Sequence, residues 1–169
     1  MLRILVPVDG SSNSLHAVRH VVNEFMKNTA LEIHLLNVQA PFSQYIARFV
    51  SRKDRDAFHR DQAEQALLPS RRMLDRLGAR YQVHMELGEK ASVIADLARR
   101  LHCDHIVMST ARKSSLTRLL QSSTTNRVIA ATSVPVEIIA GDVASRLERY
   151  GVPAGAGAVL ALLFLAAAE

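Results

Sequence analysis

Cysteine occurs once in this 169-residue chain, as Cys103, so no disulfide can close within it. No His and Asn context marks that thiol as a nucleophile, which leaves it an inert, partly buried group. Glycine is missing from the whole stretch between Gly88 and Gly141. Loops that wrap backbone around phosphate oxygens need glycine, because the chain must approach closely and often takes positive φ. A glycine-built phosphate cradle is therefore excluded from that stretch. An RNA-binding aromatic motif, zinc-finger spacing, a nucleophile elbow and paired glycosidase carboxylates are absent too. The amino end enters an apolar strand with no signal-peptide pattern, and with a single cysteine this makes a reducing cytoplasm the expected location.

What is present suits one domain with a full core plus a short appendage. The 49% hydrophobic and 22% charged content is that of an ordinary globular chain, which argues against extensive disorder. The formal charge of +5 arises mainly within residues 48–80 and 112–127 rather than in one tail. An excess so dispersed describes solvated surface, and nucleic acid is not an expected partner.

Hydrophobic periodicity supplies the architecture. Arg3 to Val8 is nearly all apolar and stops at Asp9-Gly10, the signature of a central parallel strand buried on both faces. Ser11, Ser12 and Asn13 offer helix caps, and Leu15, Val18, Val22, Phe25 and Met26 follow at helical spacing. Leu31 to Val38 predicts a second strand. Phe42 to Leu77 predicts a long helical segment that Pro69 kinks or restarts and Gly78 ends. Tyr81, Val83, Met85 and Leu87 alternate with Gln82, His84 and Glu86, as on a half-exposed edge strand. Helix is expected over residues 91–101 and 116–131, and strand over 105–108 and 134–139. Alternating strand and helix predict a doubly wound α/β sheet.

Ligands of open α/β sheets sit beyond the carboxyl ends of strands where the strand order reverses. That rule gathers Asp9, Val38 and a loop from Ser109 to Ser115 around one crevice. Asp9 either accepts a hydrogen bond from ribose hydroxyls or lies near a phosphate-bound metal, or it simply ends a strand and caps the next turn. Ser109, Thr110, Arg112, Lys113, Ser114, Ser115, Ser122 and Ser123 supply hydroxyls and cations, and a following helix start adds amides and dipole. They make a side-chain-lined anion site or a solvated polar loop. His16 with His20, and His102, Cys103 and His105, offer too few ligands for a metal site. The charge-dense residues 48–76 read as a solvated helix face, with a regulatory partner surface as the alternative.

Residues 152–168 form a run of 17 uncharged residues, against about 20 for a membrane span. Packing on the domain or on a second subunit is the expectation, and membrane contact through this tail is the lesser alternative. The division is an α/β domain over residues 1–141 and an apolar extension over 142–169.

Several of these segments together resemble the universal stress protein family over roughly residues 2–140. They are Ile4 to Ser11, Leu35-Leu36-Asn37-Val38, Gly88-Glu89-Lys90-Ala91-Ser92-Val93-Ile94, Asp104 to Met108 and Val134-Pro135-Val136-Glu137-Ile138-Ile139. The resemblance implies an open sheet of five parallel strands in order 3-2-1-4-5 with helices on both faces. It also implies a homodimer through the last strand, Val134 to Ile139. Nucleotide-binding members of the family carry a phosphate loop of glycine, two residues, glycine, nine residues, then glycine and a hydroxyl residue. Those places fall here on Ser109, Arg112, Ser122 and Ser123, so each glycine is replaced. The family pattern makes Asp9, with Pro7 and Val8 beside it, and Val38 adenosine-side contacts, and it makes Ser123 and Thr124 phosphate-side contacts.

The expectation is a stress-response binding or regulatory module with an unknown protein partner, not an enzyme, that holds ATP weakly or not at all. Two alternatives stand beside it: an ATP- or AMP-binding switch or slow ATPase using Asp9, Ser123 and magnesium, and a membrane-associated adaptor.

Overall fold

The computed structural model describes residues 2–112 and 124–143. Its first strand, β1 (Leu2–Pro7), lies in the middle of the sheet. Ile4, Val6 and Val8 point to one face and Leu5 to the other, so each face receives apolar side chains from alternate residues. The remaining elements are α1 (Ser12–Lys27), β2 (Leu31–Gln39), α2 (Gln44–Phe49), α3 (Arg52–Asp75), β3 (Tyr81–Leu87), α4 (Lys90–Arg100), β4 (His105–Arg112), α5 (Thr124–Ala131) and β5 (Val136–Val143). The strands form one parallel sheet in the order β3-β2-β1-β4-β5, the order that the family resemblance implies.

Two cores result, one on each face. Val18 and Val21 of α1 and Leu67 and Leu74 of α3 pack over Ile4, Val6, Ile33 and Leu35. On the opposite face Ile94, Leu97 and Ala98 of α4 and Val128 of α5 cover Leu5, Leu36 and Ile106. Each fully buried valine or leucine stabilises the fold by about 1.5–3 kcal/mol, so these two layers hold the sheet between them.

The helical segment after β2 breaks at a different place from the one expected. Val50 is extended, and Ser51 caps α3 by accepting a hydrogen bond from the Asp54 amide (3.1 Å) and donating its hydroxyl to the Asp54 carboxylate (2.7 Å). Pro69 does not restart the helix: α3 runs through it to Asp75. Buried Leu67 and Leu74 on either side anchor both halves to the sheet, which offsets the one backbone hydrogen bond that proline cannot donate. β4 runs four residues past the predicted end at Met108, and β5 continues to Val143, two residues beyond the expected domain boundary. The described part of the last helix begins at Thr124; the expected residues 116–123 lie outside the described residues.

On β3 the alternation is only half realised. Met85 and Leu87, predicted on the buried side, are about half exposed (50% and 49%). His84, predicted on the exposed side, is instead half-buried, and its Nε2 lies 3.0 Å from Nδ1 of the fully buried His34. One ring nitrogen must donate and the other accept, so the bond requires a neutral ring. Burial pushes both imidazoles below their ordinary value, against the opposing charges of Glu32 near His34 and Glu86 near His84.

Because both folded values lie below the unfolded one, the unfolded chain binds more protons as the pH drops. The stability these rings contribute is present above about pH 6.5 and is lost as the pH falls below it. The urea midpoint should therefore decline between pH 7 and pH 5. A His34→Leu/His84→Leu double variant should show a flatter profile over the same interval, and an equally steep one would contradict the assignment.

Candidate functional site

The carboxyl ends of β1 and β2 are tied together at the point where a ligand crevice is expected. The Val8 amide donates to the Leu36 carbonyl (2.8 Å), and the buried Asn37 side chain donates from Nδ2 to the Val8 carbonyl (2.9 Å). The next residue, Asp9, turns its carboxylate back on the chain: Oδ1 accepts from the Ser11 amide (3.0 Å) and the Ser11 hydroxyl (2.6 Å). Ser11 in turn caps α1 by accepting from the Ser14 amide (3.1 Å). Asp9 thus does what the plain structural reading required, bracing a turn and a cap, while the residue itself remains exposed. Enclosure at the strand tip pushes its carboxyl up. The Ser11 hydroxyl and amide, the Ser14 hydroxyl and the charge of Lys90 outweigh that push, so it lies below the ordinary carboxylate value and is ionised at neutral pH.

The other expected residues that the structure describes lie on or directly after β1, or on β2, β4 and α5. Pro7 ends β1 and Val8 is buried. Val38 is buried on the α4 face, and its backbone stands opposite Glu86 of β3 in the ladder. Ser109 lies within β4, opposite Ile139, and donates its hydroxyl to the Asn13 carbonyl in the first turn of α1. Arg112 closes β4 opposite Val143, after a register shift between Thr110 and Arg112. The expected loop from Ser109 is therefore strand through Arg112. A polar run reads as loop in a sequence, yet these residues continue a ladder that β5 supplies. Thr124 opens α5 and is half-buried. Ser122 and Ser123, like Lys113, Ser114 and Ser115, lie outside the described residues.

Space is tight where β4, β5 and α1 converge. A Cβ added at Gly141 would run into the Asn13 side chain and come within 3.1 Å of the Thr110 carbonyl oxygen. His20 Nε2 of α1 also meets Glu137 Oε1 of β5 at 2.9 Å. On the other side of the crevice, Glu89 caps α4 by accepting from the Ala91 and Ser92 amides. These hydrogen bonds, with the Arg127 guanidinium 3.0 Å away, pull its carboxyl down to about 2.

A cavity that sequence reasoning missed lies beside this crevice, between the tips of β2 and β3 and the start of α3. Its volume is about 170 Å³, and its lining includes Gln39, His59, Arg60, Met85 and Leu87. Gln39 organises it, donating from Nε2 to Asn37 Oδ1 (3.1 Å) and the His59 carbonyl (3.0 Å) while its Oε1 meets His59 Nδ1 at 2.9 Å. The one available signal was Asn37 and Gln39, polar residues two apart at the end of an otherwise apolar strand. Among the described residues no cluster of three or more His, Cys, Asp or Glu could hold a metal ion. Cys103 is buried, and burial pushes its thiol up to about 11.

A sheet of this order with an acidic turn after its first strand is the pattern of a known family. The model for the universal stress protein family matches residues 1–140. The chain belongs to the universal stress protein family. A universal stress protein of Methanocaldococcus jannaschii is 27% identical over 143 residues, covering 81% of each chain. Among solved structures, a universal stress protein in complex with cAMP superposes with a TM-score of 0.64 at 19% identity, covering 82% of this chain and 96% of that one. One from Archaeoglobus fulgidus in complex with dAMP gives 0.60 at 19%, covering 82% and 98%. At that identity the structures share the fold, and the complexes show that it can hold adenine nucleotides in those proteins.

In this family member Gly10 is the fixed point of the crevice wall. It has φ +81°, and a Cβ there would stand 3.0 Å from the Ala66 Cα of α3, a backbone atom that cannot swing aside. Replacing Gly10 by alanine should cost roughly 1–3 kcal/mol from strain and crowding together. Urea denaturation checks this, and a neutral result would mean that α3 moves freely over the turn.

Proposed function

We propose that this universal stress protein is a binding and regulatory module of the stress response, without turnover chemistry, that works as a cytoplasmic homodimer. On this reading it holds adenine nucleotide weakly or not at all. One observation carries the nucleotide part of the proposal: β4 remains strand through Arg112, paired to β5, where a phosphate loop would have to leave the sheet. Amides engaged in a ladder are not free to converge on phosphate oxygens, and the Ser109 hydroxyl already donates to Asn13. Asp9 supports the same reading, since its two hydrogen bonds from Ser11 brace the turn into α1. Its free lone pairs leave a ribose contact chemically open, which is why the alternative nucleotide switch is the one to test against.

Calorimetric titration with ATP and magnesium, and with AMP, decides between them. The expected result is no saturation below about millimolar nucleotide, a binding free energy weaker than about −4 kcal/mol. Micromolar binding lost in an Asp9→Ala variant would establish the switch instead.

The dimer part rests on the β5 edge. β5 is the outermost strand on its side of the sheet, so one row of its backbone groups has no strand partner among the described residues, and Ile138 there is 45% exposed. Pairing of two copies along residues 134–139 would cover both. Sedimentation should give a dimer for the native chain and a monomer for Ile138→Asp. A native monomer, or a variant that still dimerises, would reject this edge as the interface.

A further inference from the structure

The end of the sheet remote from β5 carries exposed apolar side chains that the proposed function does not use. Tyr45 and Phe49 of α2 are 73% and 75% exposed and pack on each other edge to face, with ring centroids 5.3 Å apart. No residue of α2 is buried. Just before α2, the Phe42 ring stacks against Phe58 and His59 of α3, and His59 lines the cavity whose far wall is Met85 and Leu87. Large aromatic side chains offer about 150–250 Å² each, so the exposed parts of Tyr45, Ile46, Phe49, Phe58, Met85 and Leu87 together present on the order of 600 Å². That lies at the upper end of what a soluble monomer leaves open, and the cavity gives it a concave centre.

The chain carries its own candidate to cover this surface. After Val143 the sequence continues for 26 residues, of which 152–168 are uncharged and rich in alanine and leucine, with Phe164 the one aromatic. We infer that this C-terminal segment docks, within the same protomer, on the apolar surface formed by α2, the start of α3 and the end of β3. Geometry allows it. All five strands are parallel, so β5 delivers Val143 to the same end of the sheet at which α2 begins. Four strand spacings separate β5 from β3, about 19 Å, and residues 144–151 can span up to about 26 Å when extended. Charge favours it over an anionic membrane: Arg48, Arg52, Lys53, Arg55 and Arg60 are interspersed with Asp54, Asp56 and Asp61, and Arg52 meets Asp56 at 3.8 Å. Such a mixed surround attracts anionic lipid weakly and suits an uncharged apolar occupant. Both surfaces are aggregation hazards when open, and docking removes both at once.

The sequence contains no tryptophan, so Phe164→Trp in the full-length chain creates a single reporter. In lipid-free buffer its emission should be blue-shifted and shielded from acrylamide, to the same degree across a hundredfold range of protein concentration. Adding Tyr45→Ser and Phe49→Ser, both at exposed positions, should weaken docking on the order of a hundredfold and expose the tryptophan. Leu162→Asp in the tail should do the same without touching the domain, and the far-ultraviolet spectrum should remain native in every variant. A reporter indifferent to the Tyr45 and Phe49 changes overturns the inference. So does shielding that grows with protein concentration, which would assign the tail to a second copy. Shielding that arises only on phosphatidylserine vesicles would assign it to lipid and overturns the inference equally.

Discussion

A peptide amide can serve a strand ladder or an anion, and in this chain the β4 amides that face β5 near the crevice serve the ladder. The continued pairing of β4 with β5, from Ile106 opposite Val136 to Arg112 opposite Val143, fixes the shape of the whole carboxyl end of the sheet. It places Ser109 beneath the first turn of α1, and it presses Gly141 against Asn13. A buried backbone group without a partner costs as much as a lost hydrogen bond, and each strand pair added to the ladder makes departure of the chain from the sheet less favourable.

The fold was legible because its signals are local and repeated. Alternate apolar residues in β1 and the serine cap of α1 are properties of a few consecutive residues, and the same is true of the glycine that ends α3. The order of the strands came from resemblance, not from periodicity. Legibility failed where a tertiary partner overruled a local pattern. Ser109 to Arg112 are polar and look like loop, but β5 offers them a ladder. Pro69 looks like a helix breaker, but Leu67 and Leu74 hold the helix to the sheet on either side of it. His84 looks like a solvent-facing residue, but His34 on the neighbouring strand gives its ring a partner.

The candidate site divides along the same line. Asp9 and Val38 stand at neighbouring strand tips because the sheet order puts them there, and both the spacing and the family pattern point to those positions. The adjoining cavity has no sequence signature, since it exists only where α3 crosses the ends of β2 and β3. Its hydrogen bonds join Asn37, Gln39 and His59, residues separated by as many as 22 positions in the chain. No spacing rule connects them.

Cys103 has a consequence for chemistry outside the fold. With its thiol pushed up to about 11, Cys103 keeps its proton at neutral pH. The thiolate is the form that attacks peroxide, and burial disfavours it in the only sulfhydryl of this chain. Burial of this kind makes Cys103 a poor place for a member of a stress-protein family to register peroxide.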